Sequence, residues 1–212
     1  MNDLKYRYIT IEGCIGAGKT TLARMLSADF HTRLILEQFE ENSFLPKFYQ
    51  DPARYAFPLE LSFLADRFQQ LKNQVINLDM FHPHIVSDYH IQKSLIFARK
   101  TLQSDEFSLF MRLYQIMIAQ LPVPELFVYL YLPVDRLLAN IKKRGRPYEQ
   151  SITADYLSLI QESYFEFIRQ QNNLRVVVID TRSIDFVENR ADYEWLVSVI
   201  NAEYPIGVTT IS

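Results

Sequence analysis

Gly13-Cys14-Ile15-Gly16-Ala17-Gly18-Lys19-Thr20 decides how this chain is read, because it stands between an apolar run at 8–12 and a helical pattern at 21–28. Strand, glycine-rich turn and helix in that order are the context that a phosphate-binding loop requires. Three of the five glycines of the 212-residue chain fall in this loop, so the backbone can turn tightly. Its N–H groups, with those of the helix start, can then cradle polyphosphate oxygens. In such a loop Lys19 reaches the β- and γ-phosphates and Thr20 holds magnesium. Gly13, Cys14, Ile15, Gly16, Ala17, Gly18, Lys19, Thr20 and the adjoining Thr21 are therefore the expected ATP contacts, with Thr20 a metal ligand. A turn that is glycine-rich by chance is disfavoured, because strand, loop and helix are all in place.

Outward from the loop, short β-branched or aromatic runs recur at 34–37, 85–87, 126–132 and 175–179, separated by long helical patterns. With 8–12 they predict a five-stranded sheet. Several runs are apolar throughout, and the segments between them are long enough for crossover helices. The sheet is thus expected to be parallel and covered on both faces, an α/β doubly wound P-loop fold. Its ligands belong in the crevice beyond the carboxyl ends of the strands. One domain is expected over 1–212, with the P-loop at 13–20. Residues 43–74 read as a loop followed by a helix from near Pro52, 142–151 as a charged loop, and 205–212 as a tail without an assigned role.

Composition removes several function classes. Charged residues are 22% and the net charge is only −3, so there is no basic excess to attract a nucleic acid polymer or an anionic membrane surface. Cys14 is the one cysteine, which excludes an intrachain disulfide and fits a reducing cytoplasm. No signal peptide is visible, and the longest apolar stretch, 126–134, falls far short of the roughly 20 residues that cross a bilayer. A soluble cytoplasmic protein is expected.

A P-loop also serves GTPase switches, which need an Asp-x-x-Gly and an Asn-Lys-x-Asp. The later glycines, Gly145 and Gly207, follow Lys142 and Tyr204 by three residues, so the first motif is absent. Asn189-Arg190-Ala191-Asp192 resembles the second but lies about ten residues past the last strand, where Asn and Asp are ordinary helix caps.

Phosphoryl transfer to a small acceptor needs an acid near the acceptor hydroxyl, an acid that organises magnesium, and cations on the transferred group. Glu37 and Asp88 end the second and third predicted strands and point toward the P-loop crevice. Lys142-Lys143-Arg144-Gly145-Arg146 closes a helix and opens a loop. One or two of its cations would suit a helix C-terminus, but four within five residues beside a P-loop read as an arginine-rich lid over about 142–151.

The P-loop, the acidic second-strand end, Phe48-Tyr49, the helix carrying Arg67-Phe68 and Lys143-Arg144-Gly145-Arg146 together resemble the deoxynucleoside kinases over nearly the whole chain. The resemblance implies a homodimer with a five-stranded parallel sheet, ATP and magnesium as donor, and transfer to the 5'-hydroxyl of a deoxynucleoside. It also implies that Glu37 lies by the 5'-hydroxyl, Tyr49 and Glu149 hold the 3'-hydroxyl, Phe97 stacks on the base, and Arg144 and Arg146 are the lid arginines. Asp88 matches the acid that opens the family's Asp/Glu-Arg-Ser motif and serves as base or as magnesium organiser. Here Tyr89 and His90 replace Arg-Ser, and Lys93 is a candidate substitute. The bacterial deoxyguanosine kinases resemble this variant, including Ser87-Asp88-Tyr89-His90-Ile91 and Leu95-Ile96-Phe97-Ala98.

Hydrogen-bond chemistry points to the base. Glu60 stands seven residues before Arg67, close to two helical turns, so the two share a face. Many relatives carry glutamine at that position, which suits adenine or cytosine, whereas a carboxylate offers acceptors alone. Guanine presents two adjacent donors, N1–H and the 2-amino group, which ionised Glu60 accepts while Arg67 donates to O6 or N7. The plainer reading is that Glu60 only neutralises Arg67. Tyr55, Phe57, Phe63 and Phe68 recur at helical spacing and read as core. His82, His84 and His90 lack metal-ligand spacing. Phe186, in the segment after the last predicted strand, is a candidate contact for the adenine of ATP. A nucleotide-binding regulator without turnover is disfavoured, since it would need neither Glu37 and Asp88 nor Arg144 and Arg146.

Overall fold

The computed structural model of the chain describes residues 3–38, 42–75 and 84–212. His82 lies outside them. In chain order the elements are β1 (Tyr8–Gly13), α1 (Lys19–Phe30), β2 (Arg33–Ile35), α2 (Leu45–Gln50), α3 (Pro52–Val75), β3 (Ile85–Ser87), α4 (Gln92–Thr101) and α5 (Ser104–Ile118). There follow β4 (Leu126–Tyr131), α6 (Val134–Arg144), a 3-10 turn (Pro147–Glu149), α7 (Ala154–Arg169), β5 (Arg175–Asp180), α8 (Arg190–Ile200) and β6 (Gly207–Ile211).

The sheet runs β2-β3-β1-β4-β5-β6 and every pairing is parallel. The expected α/β architecture is therefore present, but with six strands and not five. β6 is the correction. Its Val208-Thr209-Thr210-Ile211 pairs with β5 from Val176↔Val208 to Ile179↔Ile211. As an edge strand it is only half covered, so it lacks the continuous apolar run that marks the buried strands. Four consecutive β-branched residues were the available signal. Two shorter corrections concern the loops. Leu45–Gln50 is helical within the stretch read as a loop. Residues 142–144 complete α6, which Gly145 ends in the left-handed conformation at φ 73°.

Apolar clusters hold the sheet. One packs Leu22 and Leu26 of α1, Leu137 and Ile141 of α6, Leu157 and Tyr164 of α7 and Leu196 of α8 with β1, β4 and β5. A second cluster joins Leu64 and Leu71 of α3, Ala98 of α4 and Phe110 and Tyr114 of α5 to Ile35 and Ile85. A smaller third cluster ties Phe48 of α2 to Leu59 and Phe63 of α3. Asn189 caps α8 by accepting from the Ala191 N–H at 3.0 Å, as its position past the last buried strand led one to expect. No described helix is long and apolar enough to cross a membrane.

Candidate active site

Three neighbouring strands converge on the site. β1 delivers the phosphate loop, Asp88 follows β3 by one residue, and Glu37 follows β2 by two. The two acids thus sit just beyond the strands that were expected to end on them. Gly16, Lys19, Thr20, Tyr49, Glu60 and Arg67 line one cavity together with Glu37, Asp88, Phe97, Arg144, Arg146 and Glu149. Order in sequence and spacing alone could not have shown that helix α3, helix α4 and the end of α6 meet there.

The phosphate loop is built for a group that approaches backbone. Gly16 has φ 87°, and a Cβ there would meet the Leu137 carbonyl oxygen at 2.8 Å. Gly18 has φ 88°, and a Cβ there would meet Phe186 at 2.8 Å, so this aromatic closes directly on the loop. Gly18 caps α1 with no side-chain acceptor for the first-turn N–H groups, which leaves those donors for an anion. Asn140 of α6 donates to the Gly16 carbonyl at 2.8 Å and ties the helix before the basic segment to the loop. Cys14 and Ala17 turn their side chains into the core, so they offer a ligand only backbone. Burial pushes the Cys14 thiol up to about 11. Lys19 curls over the loop, its ammonium donating to the Cys14 carbonyl at 2.9 Å. Burial and the Lys93 charge lower its pKa, against the pull of Glu12, Glu37 and Asp88. A polyphosphate fits this cradle.

Thr20 donates to Asp88 Oδ2 at 2.5 Å, and the Glu37 backbone N–H donates to Asp88 Oδ1 at 2.8 Å. A hydroxyl and a carboxylate converging beside the loop form the oxygen donor set that suits magnesium.

Glu37 is held in the cavity by two cations. Arg67 Nε and Nη2 donate to its Oε1 at 2.8 and 2.6 Å, and Lys93 bonds to Oε2. Burial works to raise the Glu37 pKa, but the Lys93 and Arg67 charges outweigh it and hold the group at about 2. Tyr89, which stands where the resemblance expects an arginine, is fully buried and bonds to Gln70 at 2.5 Å. Gln70 in turn holds the Leu36 carbonyl at 2.8 Å, so this tyrosine steadies the segment that carries Glu37.

Glu60 and Arg67 share a buried face of α3 as their spacing predicts, but no hydrogen bond joins them. Arg67 turns to Glu37 and to Ser94, which it reaches at 2.6 Å, while Glu60 accepts from the Thr101 hydroxyl at 2.9 Å. Burial raises the Glu60 pKa to about 7, opposed by the Arg67 charge and the Thr101 bond. Phe97 lines the cavity with the Lys93 ammonium 5.9 Å from its ring centre.

Arg144 and Arg146 both turn to Glu149. Arg144 donates at 3.0 and 2.5 Å and Arg146 at 3.3 Å. Tyr49 lies in the same cavity, and burial, then the Glu149 charge, raises its phenol pKa. Sequence reasoning missed Ser94, Thr101 and Tyr156. Thr101 was within reach, because Lys93, Phe97 and Thr101 recur every four residues and so share one face of α4.

Comparison with known proteins agrees with this geometry. The family model described as deoxynucleoside kinase matches residues 9–204. A deoxyguanosine kinase of Bacillus subtilis is 38% identical over 191 residues, covering 88% of this chain and 92% of its own. A deoxyadenosine kinase of Dictyostelium discoideum is 32% identical over 207 residues, covering 95% and 81%. Among solved structures, deoxyadenosine kinase from M. mycoides with products dCMP and a flexible dCDP bound superposes with a TM-score of 0.78 at 25% identity, covering 91% of this chain and 98% of that one. Because the family match runs from within β1 to just short of β6 and takes in every element that lines the cavity, this chain belongs to the deoxynucleoside kinase family.

Proposed function

We propose that this enzyme transfers the γ-phosphoryl group of ATP, with magnesium, to the 5'-hydroxyl of deoxyguanosine, giving dGMP for purine salvage. The observation that carries the choice of base is Glu60, a buried carboxylate in the cavity that also holds Phe97. When ionised it offers only acceptors, which match the N1–H and 2-amino donors of guanine. Relatives named for deoxyguanosine and for deoxyadenosine both align with the chain, so it is this residue that decides.

The roles follow from the contacts. Lys19 and the loop N–H groups would hold the donor phosphates, and Thr20 with Asp88 would hold magnesium, which when bound supplies positive charge to the transfer. Glu37 receives the 5'-hydroxyl. Its low pKa makes it a weak base, but phosphoryl transfer runs through a loose transition state in which positioning counts for more than basicity. Arg144 and Arg146 follow the transferred group, and Tyr49 with Glu149 holds the 3'-hydroxyl. Phe186, seated against Gly18, is placed to meet the nucleobase of the donor. The reading includes a cytoplasmic homodimer, and Leu109 and Ile116, seven residues apart on α5 and 40% and 64% exposed, offer apolar surface to a second copy.

The test is phosphorylation of the four deoxynucleosides and guanosine at equal low concentrations. Preference for deoxyguanosine is expected, and Glu60→Gln is expected to lower it while raising activity on deoxyadenosine or deoxycytidine. A base preference left unchanged by that substitution overturns the reading. One observation favours a broader purine range: with its pKa near 7, Glu60 carries a proton in part of the population and then donates as glutamine does.

A further inference from the structure

Thr101 is the last residue of α4 and lies outside the lining of the substrate cavity. Its single hydroxyl has two partners, Glu60 Oε1 at 2.9 Å and the Phe97 carbonyl oxygen four residues back at 3.1 Å. A hydroxyl carries one proton and two lone pairs. It therefore serves either state of Glu60 without movement. When Glu60 is ionised, Thr101 donates to the carboxylate. When Glu60 is protonated on Oε2, Oε1 still accepts from Thr101, and the carboxyl proton stays free for the base. Both arrangements keep the bond from Thr101 to Oε1, and both fix the carboxyl relative to the turn of α4 that carries Phe97.

We infer that Thr101 is the positioning residue that sets base choice, by holding Glu60 as an acceptor for guanine-type edges and tolerating its protonated form for adenine-type edges. This rests on the reading of Glu60 as the group that meets the base. Adenine presents a ring-nitrogen acceptor beside an amino donor, and a neutral carboxyl offers the complementary donor and acceptor. Guanine presents two donors, and only the carboxylate accepts both.

The surroundings of Glu60 agree with two accessible states. Arg67 of its own helix and Lys93 of α4 favour the charged form, burial opposes it, and the phenols of Tyr49 on α2 and Tyr156 on α7 face it without charge. The balance falls at about 7. With the carboxylate required for one base and the acid for the other, the ratio of deoxyguanosine to deoxyadenosine efficiency rises with pH, on the order of a hundredfold from pH 6 to pH 8.

The experiment measures kcat and KM for both nucleosides between pH 6 and pH 8.5 in the native enzyme, Thr101→Val, Thr101→Ser and Glu60→Gln. Valine keeps the shape and removes the hydroxyl, so the carboxylate loses a donor and the acid form gains. The expected result for Thr101→Val is a KM for deoxyguanosine raised about tenfold with kcat nearly unchanged, and pH profiles of kcat/KM whose midpoint moves about one pH unit upward. Thr101→Ser restores both. A Thr101→Val enzyme with the native ratio and midpoint, alongside a Glu60→Gln enzyme of altered preference, overturns the role of Thr101 and leaves Glu60 standing. Equal loss on both nucleosides with an unmoved midpoint marks Thr101 as merely structural and overturns it too. If Glu60→Gln itself leaves the preference unaltered, the reading of Glu60 falls and the role of Thr101 with it.

Discussion

Lys93 bonds to one oxygen of the Glu37 carboxylate while Arg67 holds the other, so this cavity-lining acid is gripped from two different helices. Lys93 is 11% exposed and Glu37 10%, which removes most of the solvent screening that weakens surface pairs. Lys93→Met is expected to lower kcat by about a hundredfold, since Glu37 loses a fixed orientation and the cavity a cation near the transferred group. Lys93→Arg should recover part of the rate. Steady-state kinetics on both variants check this, and a Lys93→Met enzyme with native kcat would remove Lys93 from the reaction.

How much of this was legible depends on distance along the chain. The phosphate loop is contiguous from Gly13 to Thr20, so its residues and its strand-loop-helix context are read directly. Glu37 and Asp88 were found because chemistry requires acids at strand ends, and the basic segment because four cations fall within five residues at the end of α6. Their partners were not, because Glu37 meets Arg67 and Lys93 only after α3 and α4 pack over the sheet. For the same reason the shared helical face of Glu60 and Arg67 was foreseen but their separate bonds to Thr101 and Glu37 were not. β6 escaped notice because a half-covered edge strand of five residues carries little apolar signal.

Asp88 joins the Thr20 hydroxyl to the Glu37 backbone, which gives it a metal-organising geometry. Thr20→Val is expected to raise the magnesium concentration for half-maximal rate about tenfold while Thr20→Ser stays near native, because only the hydroxyl is at stake. Asp88→Asn should lose rate even at saturating magnesium. Initial rates across a magnesium titration separate the two outcomes.

Glu149 holds both Arg144 and Arg146 and is itself only 7% exposed. If it also accepts from the 3'-hydroxyl of the substrate, Glu149→Gln weakens a charge-assisted bond that a nucleoside lacking this hydroxyl never makes. The preference for deoxyguanosine over its 2',3'-dideoxy analogue should then shrink about tenfold. Comparison of kcat/KM for the two nucleosides in native and variant enzymes checks it, and an unchanged preference would leave Glu149 with the arginines alone.

Glu12 lies in β1 immediately before the phosphate loop and is fully buried, accepting from the His90 N–H at 2.8 Å and from the Tyr164 hydroxyl at 2.9 Å. Burial raises its pKa above the ordinary 4.5, while the charges of Lys93 and Lys19 and these two bonds pull it down. The folded state therefore binds more protons than the unfolded one above pH 4.5, and this group's contribution to stability falls as pH rises toward its folded pKa. Tyr164→Phe removes one donor, raises that pKa further and extends the loss to higher pH. The variant should be destabilised by about 1–3 kcal/mol at a pH above that titration, where a carboxylate is left short of a partner, and by less at a pH below it. Thermal melts at the two pH values decide the matter. A deficit of equal size at both would mean that Tyr164 acts through packing against Tyr129, 5.1 Å away between ring centres, and not through the carboxylate.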